Sequence, residues 1–254
     1  MAAPRPLRIP GVYPVAGALL FVVFAIAAWS SGARVIAAPS HPARKQALAG
    51  LLLLLPWGLI ALLWVGIGAP FQATISENHM RYLVLLTNSL LFTGALFVLR
   101  EVLSEAGERF YSALGFATNF SAGLPYLLSI MLTVAQTSMA IHGNRMPLPP
   151  VLDNLYDVLE FIGCVMTYAT TAVFAISMSK AGLLGRNATR ICVFFCALLT
   201  LCLLLRGLEY PEISSSTAPW YTQPGVIASI PASPWIMPGL LGAVLLREAG
   251  AARK

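Results

Sequence analysis

Seven long stretches of this chain carry no charged residue, and each is apolar enough to lie in a membrane. Only 10% of the residues are charged and 58% are hydrophobic, whereas soluble domains carry about 25% charged residues. Such a chain cannot cover its surface with polar groups and must use lipid as its solvent. The sequence therefore predicts an all-α integral membrane bundle of seven transmembrane helices that forms a single domain over residues 1–254. The predicted spans cover residues 12–31, 48–68, 82–99, 117–141, 157–178, 190–206 and 228–247.

The distribution of Lys and Arg among the loops predicts an orientation. Eleven of the 16 Lys and Arg residues fall in loops and a tail on one side, and the positive-inside rule places that side in the cytoplasm. The N-terminus is then outside and the C-terminus inside, although Arg5 and Arg8 locally oppose this. We expect a plasma membrane or a cell inner membrane, and an organelle membrane is also compatible. The sixth span is short, and its flanking residues Arg190 and Arg206 are expected to snorkel outward.

The two ends of the chain need separate interpretation. The first apolar stretch follows Arg5 and Arg8 as the apolar core of a signal peptide would, but it is long enough to span, which favours a retained helix. The last stretch contains four prolines, of which Pro224 falls in its first half and Pro231 just after its midpoint. That half is predicted to be loop, 3₁₀-helix or re-entrant backbone, with regular helix from about Pro234 to Leu246.

Several chemistries are excluded by residue type and position. No lysine lies in an apolar stretch to form a retinal Schiff base, and all three histidines lie outside the stretches, which disfavours intramembrane haem. The positive charges are sparse and scattered, so nucleic acid is not an expected partner. The four cysteines lie in apolar stretches without a second metal-ligand set, and we interpret them as small core residues. We therefore expect no cofactor and no metal site.

A stripe of polar residues enters the fifth predicted span. Its members are spaced three or four residues apart and so share one face of a helix. They are Asp153, Asp157, Glu160, Cys164, Thr167, Tyr168 and Thr171. A buried carboxylate costs about 2.5–3.5 kcal/mol by insertion scales, or else its pKa rises until it is neutral. Glu160, deepest of the three acids, is the main candidate for a functional carboxyl. The alternative is a helix that begins at Val158 and leaves all three acids solvated at the interface.

Neighbouring spans offer matching polar faces. Ser129, Thr133 and Gln136 follow the same spacing in the fourth span, and Asn88 lies in the third. Together with Asp153, Tyr168 and Thr171, these residues are the predicted ligand-binding side chains of an outward-opening pocket between the third, fourth and fifth spans. The alternative is that they only hydrogen-bond neighbouring helices, each contributing roughly 0.6 kcal/mol.

The leading hypothesis is a multi-pass membrane protein that binds or passes a small or lipid-like ligand through this pocket. One alternative is a membrane-embedded enzyme, such as a terpene cyclase, in which Glu160 or Asp157 donates a proton to an apolar isoprenoid or lipid substrate. A further alternative is an accessory subunit that works with a membrane partner protein. No nucleophile, metal set or cofactor motif distinguishes among the three.

Overall fold

The computed structural model describes residues 40–67, 73–144, 149–207 and 233–251, together with single positions between 19 and 38 and between 221 and 228. Six helices have described bounds. They are α1 (His41–Ile67), α2 (Ile75–Glu105), α3 (Phe110–Ile141), α4 (Pro150–Lys180), α5 (Arg186–Arg206) and α6 (Ser233–Ala251). Described positions between Leu19 and Ala37, in and just after the first predicted span, are helical as well. The predicted all-α class is confirmed for the part of the chain that the structure describes.

Four of these helices are long and apolar enough to cross a membrane. The crossing segments are Ile75–Glu105, Phe110–Ile141, Asn154–Lys180 and Arg186–Arg206. The shortest has 21 residues, which extends over about 31 Å and matches a hydrocarbon core of about 30 Å. It is longer than the uncharged stretch on which its span was predicted, because α5 begins at Arg186 and also includes Arg190. Large apolar side chains such as Phe120 and Phe194 are exposed on α3 and α5, as expected of helices that face lipid.

Helix α4 lies at the centre of the bundle. It packs against α3, α5 and α6, whereas α1 packs against α2 and α6. In the apolar segment of α4, 56% of the residues are buried, compared with 22% in α3 and in α5. Tyr168 and Phe174 of α4 are fully buried. Side chains that face this helix from its neighbours therefore lie in the interior of the protein.

Glycines set the closest approaches between helices. At the crossing of α1 and α6, a Cβ atom on Gly242 would lie 2.6 Å from the carbonyl oxygen of Gly50, and one on Gly50 would lie 2.7 Å from that of Gly242. On α4, a Cβ atom on Gly163 would lie 2.8 Å from the ring of Tyr126 on α3. These contacts let backbones and aromatic rings pack without an intervening side chain, as is usual between membrane helices.

The turn between α2 and α3 is held by Glu108. Its carboxylate accepts hydrogen bonds from the backbone N–H groups of Tyr111 and Ser112, both at 3.0 Å, and from the hydroxyl of Ser177 near the end of α4. Burial raises the pKa of Glu108, but these hydrogen bonds and the nearby charge of Lys180 outweigh it and leave the pKa below its ordinary value. The charged form of Glu108 therefore stabilises the fold.

We expect Gly242→Ala to destabilise the protein by about 1–3 kcal/mol, the usual cost of overpacking. The new methyl group meets backbone and the Cβ atom of Leu53 at 2.9 Å, so α1 and α6 must separate. The free energy of unfolding in detergent micelles measures this. The control is Gly94→Ala on α2, where a Cβ atom meets nothing within 4 Å and where the loss of a helical glycine is worth roughly 0.5–1 kcal/mol of added stability. Equal effects of the two substitutions would contradict the close packing of α1 on α6.

Glu108 makes stability depend on pH in a defined direction. Because its pKa is lower in the folded than in the unfolded state, the stabilisation is complete above the ordinary value of 4.5 and is lost as the pH falls through the lowered folded-state value. We expect the unfolding temperature of Glu108→Gln to fall less on acidification than that of the wild type. The control is Glu101→Gln, whose carboxylate lies 3.8 Å from Arg100 and which should keep the wild-type dependence. Parallel curves for Glu108→Gln and the wild type would show that Glu108 does not hold this turn.

Candidate functional site

The acids of the predicted stripe lie within α4 rather than before it. The helix begins at Pro150, which occupies its first turn as proline commonly does, so Asp153, Asp157 and Glu160 all fall within it. Asp157 is half-buried, and Glu160, nearly one turn further on, is only 5% exposed. The side chain of Asp153 lies outside the described residues. Glu160 is therefore the one of these acids whose carboxyl group the structure places in the protein interior.

Two arginines are also buried at this end of the bundle. Arg81 of α2 is 4% exposed and Arg206 of α5 is 5% exposed. The expectation that Arg206 snorkels outward is wrong, because one nitrogen of its guanidinium group, Nη1, lies 3.4 Å from the carbonyl oxygen of Gly225 and donates to it. A Cβ atom on Gly225 would lie 2.5 Å from the Cβ atom of Arg206, so the chain passes directly over this side chain. Sequence reasoning missed both residues as site candidates.

A sequence signal for the burial of Arg81 did exist. Charged residues mark the ends of the apolar stretches, so every arginine is predicted to lie outside them. However, Arg81 is spaced four, seven and eight residues from Leu85, Asn88 and Ser89, all of which are buried on one face of α2. If the helical spacing is extended beyond the end of the apolar stretch, Arg81 falls on the same face of α2 as these buried residues.

The buried ionisable side chains come from three helices and lie at the same end of the bundle. The carboxyl group of Glu160 is within electrostatic range of Tyr82 on α2 and of Cys164 on α4. Cys164 is in turn within range of Arg206, and Tyr82 is within range of Arg81. We call Arg81, Glu160 and Arg206 the buried charged cluster. Such groups are expensive inside a membrane bundle, and in membrane proteins they commonly mark ion, proton or ligand sites.

The hydroxyl groups of the predicted pocket hydrogen-bond their own helices. On α3, Ser129 donates to the carbonyl of Tyr126 at 2.8 Å and Thr133 to that of Ser129 at 3.0 Å. On α4, Thr167 donates to the carbonyl of Gly163 and Thr171 to that of Thr167, both at 2.7 Å. All four are buried, and their donors are satisfied without a ligand.

The remaining predicted pocket residues diverge. Asn88 is fully buried, and its amide donates to the carbonyl of Pro56 at 3.0 Å, so it faces α1 rather than α4. Gln136 is half-buried on α3. Tyr168 is fully buried, and its hydroxyl donates to the carbonyl of Ala228 at 2.8 Å. Tyr168 therefore anchors the segment that precedes α6 instead of presenting a free hydroxyl.

A small cavity lies between α2, α3, α4 and α6. Its volume is about 10 Å³, which is close to the minimum that holds one water molecule. The residues that line it do not include the predicted ligand-binding side chains. Its lining residues are Ser89, Phe92, Ala122, Gly123, Tyr126, Thr167 and Trp235. Trp235 packs edge-on against Tyr126 with 5.5 Å between ring centroids.

A larger groove lies between α4 and α5. Its volume is about 330 Å³ and its lining is almost entirely apolar. Tyr168, Ala169 and Ala172 line it on α4, and Cys196, Ala197 and Thr200 are among its residues on α5. The groove is partly open, and its size falls in the range of ligand sites.

Metal-ligating side chains do not converge in the part of the chain that is described: no three of His, Cys, Asp and Glu come together there. Cys192 and Cys196 lie one turn apart on α5 as buried free thiols. Comparison with protein-family models, with curated proteins and with solved structures finds no significant match to this chain. The function must therefore be argued from the site itself.

Proposed function

We propose that this chain is a seven-span membrane protein, N-terminus outside and C-terminus inside, that binds or passes a small or lipid-like ligand at the outer end of α2, α3 and α4. The observation that carries the proposal is the buried charged cluster. Three ionisable side chains from three helices are each at most 5% exposed. Apolar side chains would hold the helices together at a lower free-energy cost. We therefore infer that the buried charged groups serve the function of the protein.

In the proposed site the residues have different roles. Glu160 supplies a carboxyl group for a polar or ionised headgroup, and Arg81 and Arg206 add buried positive charge at the same end of the bundle. Asp157, half-buried and nearer the outer end, forms the entrance. The water-sized cavity beyond Glu160 requires the helices to separate before a larger ligand enters. For a lipid-like ligand, the groove between α4 and α5 offers a place for the apolar tail.

The groove also favours a second candidate, a membrane-embedded enzyme that acts on an isoprenoid or lipid substrate by acid catalysis. A substrate chain of this kind fits an apolar groove of about 330 Å³. However, the groove residue of α4 nearest to Glu160 is Tyr168. It comes eight residues later, which is a distance of about 12 Å along the helix axis. A proton donor must come within hydrogen-bond reach of the atom it protonates. This separation makes binding the better supported function.

The proposed orientation predicts which loops are accessible from outside. Asn144 follows α3 and Ala106 follows α2, and both are exposed. We expect a membrane-impermeant maleimide to label Asn144→Cys in sealed cells, and to label Ala106→Cys only after permeabilisation. The labelling of each variant is compared with that of the wild type, which corrects for background labelling of native thiols such as the half-buried Cys202. The reverse labelling pattern would place the N-terminus inside.

The proposed ligand site predicts a specific effect of Glu160→Gln. Dodecylamine, dodecanoate and dodecanol share one chain and differ in headgroup, so saturable binding of one of them to the purified protein identifies the preferred charge. We expect Glu160→Gln to weaken that binding by roughly tenfold or more, the equivalent of one hydrogen bond to a charged group. The control is Glu248→Gln on α6, whose carboxylate pairs with Arg247 at 3.0 Å.

Two results would count against this site. Binding that is equal in Glu160→Gln, Glu248→Gln and the wild type places the ligand elsewhere. Absence of binding by all three amphiphiles, together with a co-purifying membrane protein, favours an accessory subunit instead.

A further inference from the structure

The groove between α4 and α5 continues into a pair of exposed arginines. Arg186 and Arg190 come seven and three residues before Val193, the first groove residue of α5. They come eleven and seven residues before Ala197, which also lines the groove. Residues at these intervals share one face of a helix. The face of α5 that lines the groove therefore carries both arginines at the end where the helix begins.

No acidic side chain of the described residues neutralises this pair. Neither guanidinium group forms an ion pair there, and α5 itself contains no Asp or Glu. The turn between α2 and α3 adjoins the end of α4, since Glu108 accepts a hydrogen bond from Ser177. The carboxylates near this turn, on Glu101, Glu105 and Glu108, are each engaged with a cation or with hydrogen-bond donors. The two arginines are therefore left with positive charge for a partner outside the described chain.

The groove has the length and the lining of a site for one hydrocarbon chain. Its residues on α5 extend from Val193 to Leu204, which is about 16 Å along the helix axis. This length is close to half of a hydrocarbon core of about 30 Å, which is the share of one leaflet. Among the described helices, α5 packs substantially only against α4, so no other described helix covers the groove.

The charges favour a lipid over a second copy of the chain as the occupant. Two copies in one membrane share an orientation, so a symmetric dimer through this face would bring Arg186 and Arg190 of both copies together without a carboxylate. A phospholipid instead carries its phosphate at the end of its acyl chains, at the level where membrane helices end. Guanidinium groups bind phosphate well, and basic pockets between membrane helices bind anionic headgroups.

We propose that the groove between α4 and α5 binds an anionic phospholipid of the surrounding bilayer, with one acyl chain against Ala172 and Ala197 and the phosphate at Arg186 and Arg190. The site goes beyond the ligand proposed at Glu160, because it does not use that carboxyl group. A lipid-like ligand at Glu160 must displace this phospholipid before its own tail enters the groove.

Native mass spectrometry of the delipidated protein in detergent tests the headgroup site. We expect dioleoylphosphatidylglycerol to bind several-fold more tightly than dioleoylphosphatidylcholine, which has the same chains. In the double variant Arg186→Gln/Arg190→Gln, the affinity for phosphatidylglycerol should fall roughly tenfold, to that for phosphatidylcholine. The control is Arg109→Gln, which removes an exposed arginine at the start of α3, at the same end of the bundle. Equal affinities of the wild type for the two lipids, or an equal loss in the control, would overturn the proposal.

Filling the groove tests the site for the chain. Ala197 is exposed, so Ala197→Phe places a ring in the groove without forcing α4 and α5 apart. We expect it to weaken the binding of phosphatidylglycerol several-fold, whereas Ala117→Phe, on an exposed position of α3, should leave binding unchanged. Wild-type affinity in Ala197→Phe would overturn the proposal. A delipidated wild-type dimer that Ala197→Phe converts to a monomer would assign the groove to a second copy instead.

The wild-type protein allows a test without a substitution. Phosphatidylglycerol with a diazirine in its acyl chain is mixed into phosphatidylcholine vesicles that contain the protein. After illumination, we expect crosslinks to concentrate on residues 168–172 and 193–204, compared with the exposed ring of Phe120 on α3. Equal labelling of these positions would contradict a specific site. Binding of the dodecyl amphiphiles is read from Glu160→Gln, so either site can fail while the other stands.

Discussion

An apolar environment obliges the polar groups of this chain to find partners inside the protein. Most of the structure follows from how that demand is met. Hydroxyl groups on α3 and α4 donate to carbonyls of their own helices, the amide of Asn88 reaches a carbonyl on α1, and Glu108 accepts N–H groups at the start of α3. With these donors and the Glu108 carboxylate paired locally, the helices can pack through glycines and aromatic rings.

The polar groups whose burial costs the most free energy include those of the proposed ligand site. Arg81, Glu160 and Arg206 hold charge in the interior, and Asn119 holds an amide without a partner among the described residues. Packing alone does not require any of them, since apolar side chains of similar volume would fill the same space. They come from four of the described helices, α2, α3, α4 and α5.

Sequence reasoning predicted the helices more securely than the site. Helical spacing placed Glu160, Thr167 and Thr171 on one face of α4, and all three are buried. The same reasoning grouped Asn88 with α3 and α4, whereas its amide bonds to α1, because spacing along one helix does not specify which neighbour a face will meet. The same reasoning placed Arg206 at the membrane interface. In the structure its side chain is covered by Gly225, which comes from another part of the chain. The size of the pocket could not be predicted, because it depends on how the side chains of four helices pack together.

By itself, the sequence determined that the chain forms apolar helices and which residues share a helical face, because both follow from composition and from a repeat of 3.6 residues. Only the tertiary structure decided that α4 is central, that two arginines are buried at the same end of the bundle as Glu160, and that a cavity of about 10 Å³ lies between α2, α3, α4 and α6. The physical reason is that burial is a property of contacts between helices. Such contacts depend on close approaches at Gly50, Gly163 and Gly225, which join residues far apart in the chain.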